Sequence, residues 1–245
     1  MREQTKVTGI ILSVRSIGEN DRTMTILTKE RGKITVFARG CRRPNHPLFG
    51  VTQPLLYCEF MVSDTRKYTY LNSADCIDSF FFLKESLENI YYSSYFAEVA
   101  EYFTVEGQDE RNILNLLFVT FMAIKKKKVP LKLIRRIFEL KVLQFAGLGM
   151  QCFSCLCCGR QDNLTNLSLE AGGTFCQECG KTAGGRPVDP SVLYVLQYVS
   201  ASPLESLYAF TLKEEISREF RWTVKRYFAV HVEHRFKSAQ MLDEL

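Results

Sequence analysis

A chain of 245 residues is long enough for two modest domains and a small metal-held insert. Its hydrophobic fraction of 46% and charged fraction of 24% are those of a water-soluble globular protein, and no stretch approaches the roughly 18 apolar residues of a membrane span. The formal net charge of +5 is too small for a histone-like protein, so composition alone only hints at a polyanionic partner.

The first 79 residues predict a small closed β-sheet. Apolar, β-branched or alternating runs at 7–14, 24–28, 34–38, 55–62 and 68–71, with a further segment around Cys76, give five or six short strands separated by turn signals. Sheets of this kind avoid exposed edges by closing. A five-stranded OB-type barrel fits the length well, and an SH3-like barrel fits the pattern nearly as well.

From residue 80 the hydrophobic pattern becomes that of packed helices. The stretches 80–105, 112–126 and 131–146 have broad apolar faces and no internal proline or glycine. Asp189 is followed by proline, which indicates a capped helix start, and a last helix is predicted over about 212–236. We therefore expect an α+β protein with an OB barrel over 1–79, a helical domain over 80–149 and 186–245, and a zinc-binding loop inserted at 150–185.

The inserted loop contains two Cys-x-x-Cys turns, each followed directly by glycine. The first pair is Cys155 and Cys158, and the second is Cys176 and Cys179. Two such turns at this separation have the ligand spacing of a four-thiolate zinc site. Four protein ligands leave no position open for water or substrate, so the predicted cofactor is one structural zinc ion.

Two neighbouring cysteines leave the first pair open to an alternative. Cys152 and Cys157 crowd it, and Cys152 with Cys155 also satisfies the spacing. We favour the later pair because a glycine follows it, as one follows the second pair. Disulfides would need an oxidising compartment, and no apolar segment near the start directs the chain there. The scattered cysteines are expected to be plain thiols: Cys41, Cys58 and Cys76.

A basic loop in the barrel region is the first candidate for binding. No acidic residue occurs between Arg31 and Cys58. The first half of this run carries Arg31, Lys33, Arg39, Arg42, Arg43 and His46. In a small barrel, a basic loop beside aromatic side chains holds a nucleic-acid strand, because cations follow phosphates and rings stack on bases. The alternative is a solvated surface loop, but the length of the acid-free run favours nucleic-acid binding.

A second acid-free run spans 111–138. It holds Lys125, Lys126, Lys127, Lys128, Lys132, Arg135 and Arg136. These seven cations predict either a positive patch or an ordinary solvated helix end, and the pattern alone does not separate the two. Signatures of catalysis are absent: no phosphate-binding loop, no His-Glu-x-x-His and no Gly-x-Ser-x-Gly occurs. We therefore expect a binding protein and not an enzyme.

Several runs resemble, in chain order, the RecO family of bacterial recombination mediators. In the barrel these are residues 18–22 (Gly-Glu-Asn-Asp-Arg), 27–33 and 38–44. Around the metal loop they extend from 147–149 through both cysteine pairs, with 170–173 between the pairs. The resemblance covers the chain end to end. It implies an OB fold, a helical domain with an inserted zinc ribbon, and a non-enzymatic role in DNA repair.

The resemblance also implies particular partners. Proteins of this family bind single- and double-stranded DNA, anneal complementary strands and, with RecR, help RecA load onto DNA coated by single-stranded-DNA-binding protein. The family's DNA-contacting barrel loop corresponds here to Arg39, Arg42 and Arg43, and we add Arg22, Arg31 and Lys33 as expected DNA contacts. The expected location is the cytoplasm, at the nucleoid, with no membrane partner. The alternatives are a zinc-ribbon RNA-binding or transcription-associated factor, a nuclease with an unrecognised site, and a structural adaptor.

The family's contact with the acidic tail of single-stranded-DNA-binding protein implies an apolar pocket rimmed by cations. We expect this pocket at the second acid-free run, with walls from Phe121, Ile134 and Phe138. The alternative is the basic face of Arg218, Arg221 and Lys225.

Overall fold

The computed structural model describes residues 4–243, so the ends of the first and last predicted domains lie outside it. The chain forms two compact units. One comprises the chain up to Lys125 together with the segment from Phe236 onward, and the other runs from Lys126 to Arg235. The domain boundaries at 79, 149 and 185 remain predictions.

The first unit is built on a closed five-stranded barrel. Its strands are β1 (Gln4–Ile17), β2 (Asp21–Thr28), β3 (Gly32–Ala38), β4 (Tyr57–Asp64) and β5 (Thr69–Asp78). They close in the order β1-β2-β3-β5-β4, with β3 and β5 parallel and the other pairs antiparallel. This is the OB-type barrel, which the parallel closing pair separates from the SH3-like alternative.

Alternation along the strands fills the barrel interior. On β4, Cys58, Phe60 and Val62 point inward and are fully buried, and Val36 and Ala38 do the same on β3. The intervening residues therefore face outward, as the two-residue period of a strand requires. Each described strand of the barrel has two neighbours, although β3 and β5 pair only at Val36↔Thr69 and Phe37↔Tyr70.

Helices complete the first unit: α1 (Leu87–Phe103), α2 (Arg111–Lys126) and α7 (Lys237–Asp243). The prediction of one helix over 80–105 was wrong about where the helix starts. Phe80 adopts a left-handed conformation (φ 44°), a 3₁₀ turn follows at Phe81–Lys84, and α1 begins only after Ser86, whose side chain accepts the N–H of Asn89. A capping serine inside an apolar run ends one element and starts the next.

The second unit combines helices with a small sheet. Its elements are α3 (Leu131–Phe145), β6 (Leu164–Ser168), β7 (Gly173–Cys176), α4 (Gln177–Ala183), β8 (Arg186–Pro187), α5 (Pro190–Ala201) and α6 (Glu214–His231). The sheet has the order β7-β6-β8. Asp189 caps α5 as predicted, because its side chain accepts the N–H of Ser191. The last predicted helix is interrupted, since α6 ends at His231 and Val232 is extended.

Helix α3 buries two of the cations that the sequence assigned either to a positive patch or to a solvated helix end. Arg135 and Arg136 are buried and both donate to the carboxylate of Glu139, which is 0% exposed. Two of the seven cations therefore face inward, whereas Lys125–Lys128 and Lys132 are exposed. Neither alternative included buried arginines, and these arise because α3 is buried on most of its circumference. Within residues 4–243, no helix combines the length and apolar character needed to cross a bilayer.

Candidate nucleic-acid interface and metal centre

Three aromatic rings cluster on the outer surface of the barrel. Phe37 lies on β3 and faces outward because Val36 and Ala38 face inward. Tyr70 is its register partner on β5, and Tyr68 precedes β5 at the tip of the β4–β5 hairpin. The ring centroids are 4.6 Å apart for Phe37 and Tyr68, 6.0 Å for Phe37 and Tyr70, and 6.3 Å for the two tyrosines. We call these three residues the ring platform.

The hairpin tip is held by its own hydrogen bonds. The hydroxyl of Thr65 accepts the N–H of Tyr68 and donates to its carbonyl oxygen, and the backbone N–H of Thr65 donates to the same oxygen. This turn fixes Tyr68 beside Phe37 while leaving the tyrosine 38% exposed. The platform is thus an ordered surface before any ligand arrives.

Cations lie against the platform. The guanidinium of Arg39 is 4.2 Å from the centre of the Tyr70 ring, and its Nη2 donates to the Tyr70 hydroxyl at 2.7 Å. Lys67 places its Nζ 5.2 Å from the centre of the Tyr68 ring. A surface of aromatic rings flanked by cations suits a single nucleic-acid strand, whose bases stack while its phosphates pair with the charges.

An open cavity of about 810 Å³ continues from the platform along the barrel. Phe37 and Tyr68 form part of its wall, and its charged lining consists of Arg31, Lys33, Arg66, Lys67, Glu30 and Glu106. Four cations thus face two carboxylates. The cavity is wide and open, as a groove for a polymer must be.

The predicted basic loop emerges beside this surface with Arg39, Arg42 and Arg43 exposed. Its position depends on the preceding β1–β2 turn. Asp21 accepts the N–H of Gly40 at 2.7 Å, and the N–H of Arg42 donates to the carbonyl of Asn20 at 2.9 Å. The loop is therefore held at its base while its guanidinium groups reach solvent.

The other predicted DNA contacts have partners within the protein. Arg22 donates to the carbonyl and hydroxyl oxygens of Thr52, Arg31 donates to the carboxylate of Asp64, and Lys33 donates to the carbonyl of Glu101 at 2.7 Å. Arg31 and Lys33 line the cavity, whereas Arg22 anchors the far end of the loop.

Sequence analysis missed the ring platform and the hairpin cations Arg66 and Lys67. The local signal was present, since Arg66-Lys67-Tyr68-Thr69-Tyr70 interleaves cations and rings. Its meaning depends on Phe37, which joins it only through the parallel pairing of β3 and β5. That pairing connects residues more than thirty positions apart, so no short pattern contains it.

In the second unit, four cysteine sulfurs converge. The Sγ atoms of Cys155, Cys158, Cys176 and Cys179 all lie within 4.8 Å of one another. Sulfurs bound at about 2.3 Å to one tetrahedral zinc ion lie about 3.8 Å apart. The Sγ atoms of Cys158 and Cys176 are 3.8 Å apart, so the cluster fits such an ion.

Local backbone structure aims these sulfurs at one point. Gly159, at φ 74°, turns the chain sharply after the first pair and donates its N–H to the carbonyl of Cys155. Cys176 ends β7, and Cys179 lies in the first turn of α4. Burial works to raise the pKa of the Cys155 thiol, but backbone N–H groups of Cys158, Cys176 and Cys157 outweigh it and hold the pKa at about 6. Hydrogen bonds to neighbouring cysteines raise the pKa of Cys179, and the pKa of Cys158 is raised as well, so without an ion the four thiols share protons that zinc binding would release.

Neither of the crowding cysteines belongs to this cluster of four. Cys152 is fully buried, burial raises the pKa of its thiol to about 12, and its carbonyl accepts a hydrogen bond from Gln197. Cys157 is exposed. The cluster therefore contains Cys155 and Cys158, the pair that is followed directly by Gly159.

Comparison with known proteins identifies the family. Residues 84–240 match the family described as "Recombination protein O C terminal", and residues 1–80 match "Recombination protein O N terminal". The chain belongs to the RecO family. This is a family of DNA repair and recombination proteins, and its members are recombination mediators rather than enzymes.

Relatives in the RecO family match along nearly their whole length. The protein named "DNA repair protein RecO" of Alkaliphilus metalliredigens is 29% identical over 243 residues, covering 98% of this chain and 99% of the relative. Its namesake in Caldicellulosiruptor saccharolyticus is 30% identical over 240 residues, covering 97% and 96%. The Desulforudis audaxviator protein of the same name is 29% identical over 245 residues, covering 99% and 98%.

Proposed function

We propose that this chain binds single- and double-stranded DNA through its barrel and anneals complementary strands. The observation that carries the proposal is the ring platform with Arg39 stacked on Tyr70. Bases of a single strand stack on the rings, at about 1–3 kcal/mol for each base. The exposed guanidinium groups of Arg39, Arg42 and Arg43 contact phosphates, while Arg31 and Lys33 add positive potential along the cavity.

Annealing then requires no covalent chemistry. Two single strands repel each other through their phosphates, and cations that neutralise part of that charge lower the barrier to their encounter. Base pairing supplies the free energy. The bound duplex is held through its backbone alone, because paired bases are no longer available to the rings.

The four-cysteine cluster holds one structural zinc ion in this proposal. The ion supplies a cross-link between the loop after α3 and the β7–α4 turn. Among the described residues, Phe175 and Leu164 are the apolar side chains grouped with the cysteines, so we expect the insert to depend on the ion for its stability. The backbone turns place the four sulfur atoms around one point, and a bound zinc ion would hold them there.

The proposed partners follow from family membership. With RecR, the chain helps RecA load onto DNA coated by single-stranded-DNA-binding protein, in the cytoplasm at the nucleoid. The acidic tail of that protein docks at the exposed lysines 127, 128 and 132. Arg135 and Arg136 are committed to Glu139, and Ile134 and Phe138 are fully buried, so these four residues do not form the pocket expected from sequence.

A strand-annealing assay with and without single-stranded-DNA-binding protein tests the proposal. The wild-type chain should accelerate annealing of complementary oligonucleotides in both conditions. The double variant Tyr68→Ala, Tyr70→Ala should bind a single strand at least about tenfold more weakly, because two stacking surfaces are lost. Tyr194→Ala removes an exposed tyrosine of α5 as a control and should have no effect. Equal losses in both variants, or no loss in either, would exclude the platform as the binding surface.

A further inference from the structure

An acidic loop lies against the proposed DNA surface. Residues 105–110, between α1 and α2, read Val-Glu-Gly-Gln-Asp-Glu and carry three carboxylates and no cation. Glu106 forms isolated backbone bridges with Gly32 and Lys33 at the start of β3, and the N–H of Gly107 donates to the carbonyl of Lys33. We call residues 105–110 the acidic loop.

Gly32 is the residue that permits this contact. It adopts a left-handed conformation (φ 62°), and a Cβ atom at this position would lie 1.8 Å from the carbonyl oxygen of Gln108. Any other residue would push the acidic loop away from the barrel. On its other side the loop closes on itself, because the Glu110 carboxylate accepts the N–H of Val105. The acidic loop is thus held against the start of β3 by backbone contacts.

Glu106 places its carboxylate beside the groove. It lines the cavity of about 810 Å³ that begins at the ring platform, and also a second cavity of about 480 Å³ lined by Arg15 and Lys33. The carboxylate accepts a hydrogen bond from the hydroxyl of Thr35 at 2.7 Å. Thr35 is exposed on β3 two positions before Phe37, so it faces the same side of the strand as the platform.

We infer that Glu106 is a specificity-determining residue that makes this surface prefer single strands and release duplex DNA. The inference rests on the proposed function. A fixed carboxylate beside the groove repels every phosphate that passes it, and a duplex carries about twice as many phosphates per unit length as a single strand. The repulsion therefore weighs more heavily on the duplex, which is the product of annealing. A single strand also retains its stacking on the rings, which offsets the repulsion.

The role in duplex release accounts for a carboxylate in a groove whose cations would otherwise bind DNA more tightly. A surface that held duplex and single strands equally well would be occupied by its own product. With Glu106 in place, pairing of the bases removes the stacking contribution and leaves the repulsion. The duplex then dissociates, and the platform is free for another strand.

The test compares two variants with the same change in charge. Glu106→Gln removes the carboxylate but keeps an acceptor for Thr35. Asp109→Asn removes a carboxylate from the same acidic loop that pairs with Arg111 and is not among the residues lining either cavity. Each variant is titrated with a fluorescent 30-nucleotide single strand and with the matched duplex at one stated salt concentration.

Glu106→Gln should tighten duplex binding about tenfold and single-strand binding about threefold, and Asp109→Asn should change each by less than about twofold. The turnover of annealing should fall in Glu106→Gln when protein is limiting. Equal gains for the two DNA forms, or equal gains in the two variants, would overturn the inference. Should Glu106→Gln melt earlier than wild type, all variants are titrated at one temperature below the onset of its unfolding. Unchanged DNA binding by the Tyr68 and Tyr70 variant would instead refute the proposed function.

Discussion

Asp21 and Arg22 hold the ends of the basic loop through hydrogen bonds within the protein. Both belong to the Gly-x-x-Asp-Arg run that resembles the RecO family, and we expected Arg22 to contact DNA. Asp21 instead accepts the N–H of Gly40 at the start of the basic loop, and Arg22 donates to Thr52 beyond its end. The motif therefore holds both ends of the loop, and Arg39, Arg42 and Arg43 on the loop itself are exposed.

The first prediction concerns those arginines. Replacement of Arg39, Arg42 and Arg43 by alanine should weaken binding to every single strand tested and make the slope of log K against log salt shallower by about two units, since each lost phosphate contact removes about 0.7. Fluorescence titration across a salt series measures both quantities. The exposed lysines 181, 213 and 225 of the second unit provide a triple-alanine control of equal charge, which should leave the slope nearly unchanged. A loss restricted to particular sequences would mean that the arginines contact bases.

The second prediction concerns the metal cluster. Cys176→Ser should reduce bound zinc well below one ion per chain and lower the midpoint of thermal unfolding, because the insert has little apolar packing of its own. Elemental analysis and circular dichroism measure the two effects. Cys157→Ser alters an exposed neighbour outside the cluster and should retain about one zinc per chain. The ligand assignment fails if the two variants lose zinc equally.

At the scale of elements, the strands and most helices follow from local pattern, and the departures have identifiable causes. The barrel follows from two-residue alternation and turn residues, and α5 from the Asp189 cap. Helix α1 starts late because Ser86 caps a new helix inside a continuous apolar run. On α3, the positions from Leu133 to Leu143 are all buried, so the arginines among them face protein. A charge pattern alone cannot reveal this, because the burial comes from elements distant in sequence.

Helix α3 yields the third prediction. Glu139→Gln should lower the free energy of unfolding by about 3–5 kcal/mol, because it removes the buried carboxylate to which Arg135 and Arg136 both donate. Urea denaturation followed by circular dichroism gives the difference. In the control Glu214→Gln, the lost partner of Arg221 is an exposed carboxylate, so the expected change is below about 1 kcal/mol. A loss as small as that of the control would show that Arg135 and Arg136 find water when Glu139 is neutral.

A third buried cation on α3 joins two helices of the same unit. Lys141 donates to the carbonyl oxygens of Val199, Ser200 and Ser202 at the end of α5, where unpaired carbonyls and the helix dipole favour a positive charge. Burial lowers the pKa of this lysine, and the three acceptors compensate for its lost hydration. The basic composition that suggested a polyanionic partner thus partly serves internal packing.

At the scale of the whole molecule, exposed cations are spread over both units, and two sets in the second unit are candidates for binding an acidic peptide: those at the start of α3 and those on α6. Lys128 and Lys132 are exposed, whereas Arg221 on the alternative face donates to Glu214 and to the carbonyl of Ser217. A groove beside α6 contains two cations, Arg186 and Arg218, but three carboxylates, those of Asp189, Glu215 and Glu219. Charge complementarity therefore favours the lysines as the place where an acidic peptide docks.

The last prediction follows from that choice. Charge reversal of Lys127, Lys128 and Lys132 to glutamate should weaken binding of the acidic tail peptide at least about tenfold, because three attractions become repulsions. Arg136 is unsuitable for this test, since its reversal would place two carboxylates together in the core. The matched variant reverses Arg218, Arg221 and Lys225, and it should bind the peptide almost as wild type does. Titration of a fluorescent peptide measures the affinity, and zinc content with the thermal midpoint verifies the fold. If the α6 variant loses binding while the lysine variant keeps it, the peptide docks against α6 and the choice of the lysines is wrong.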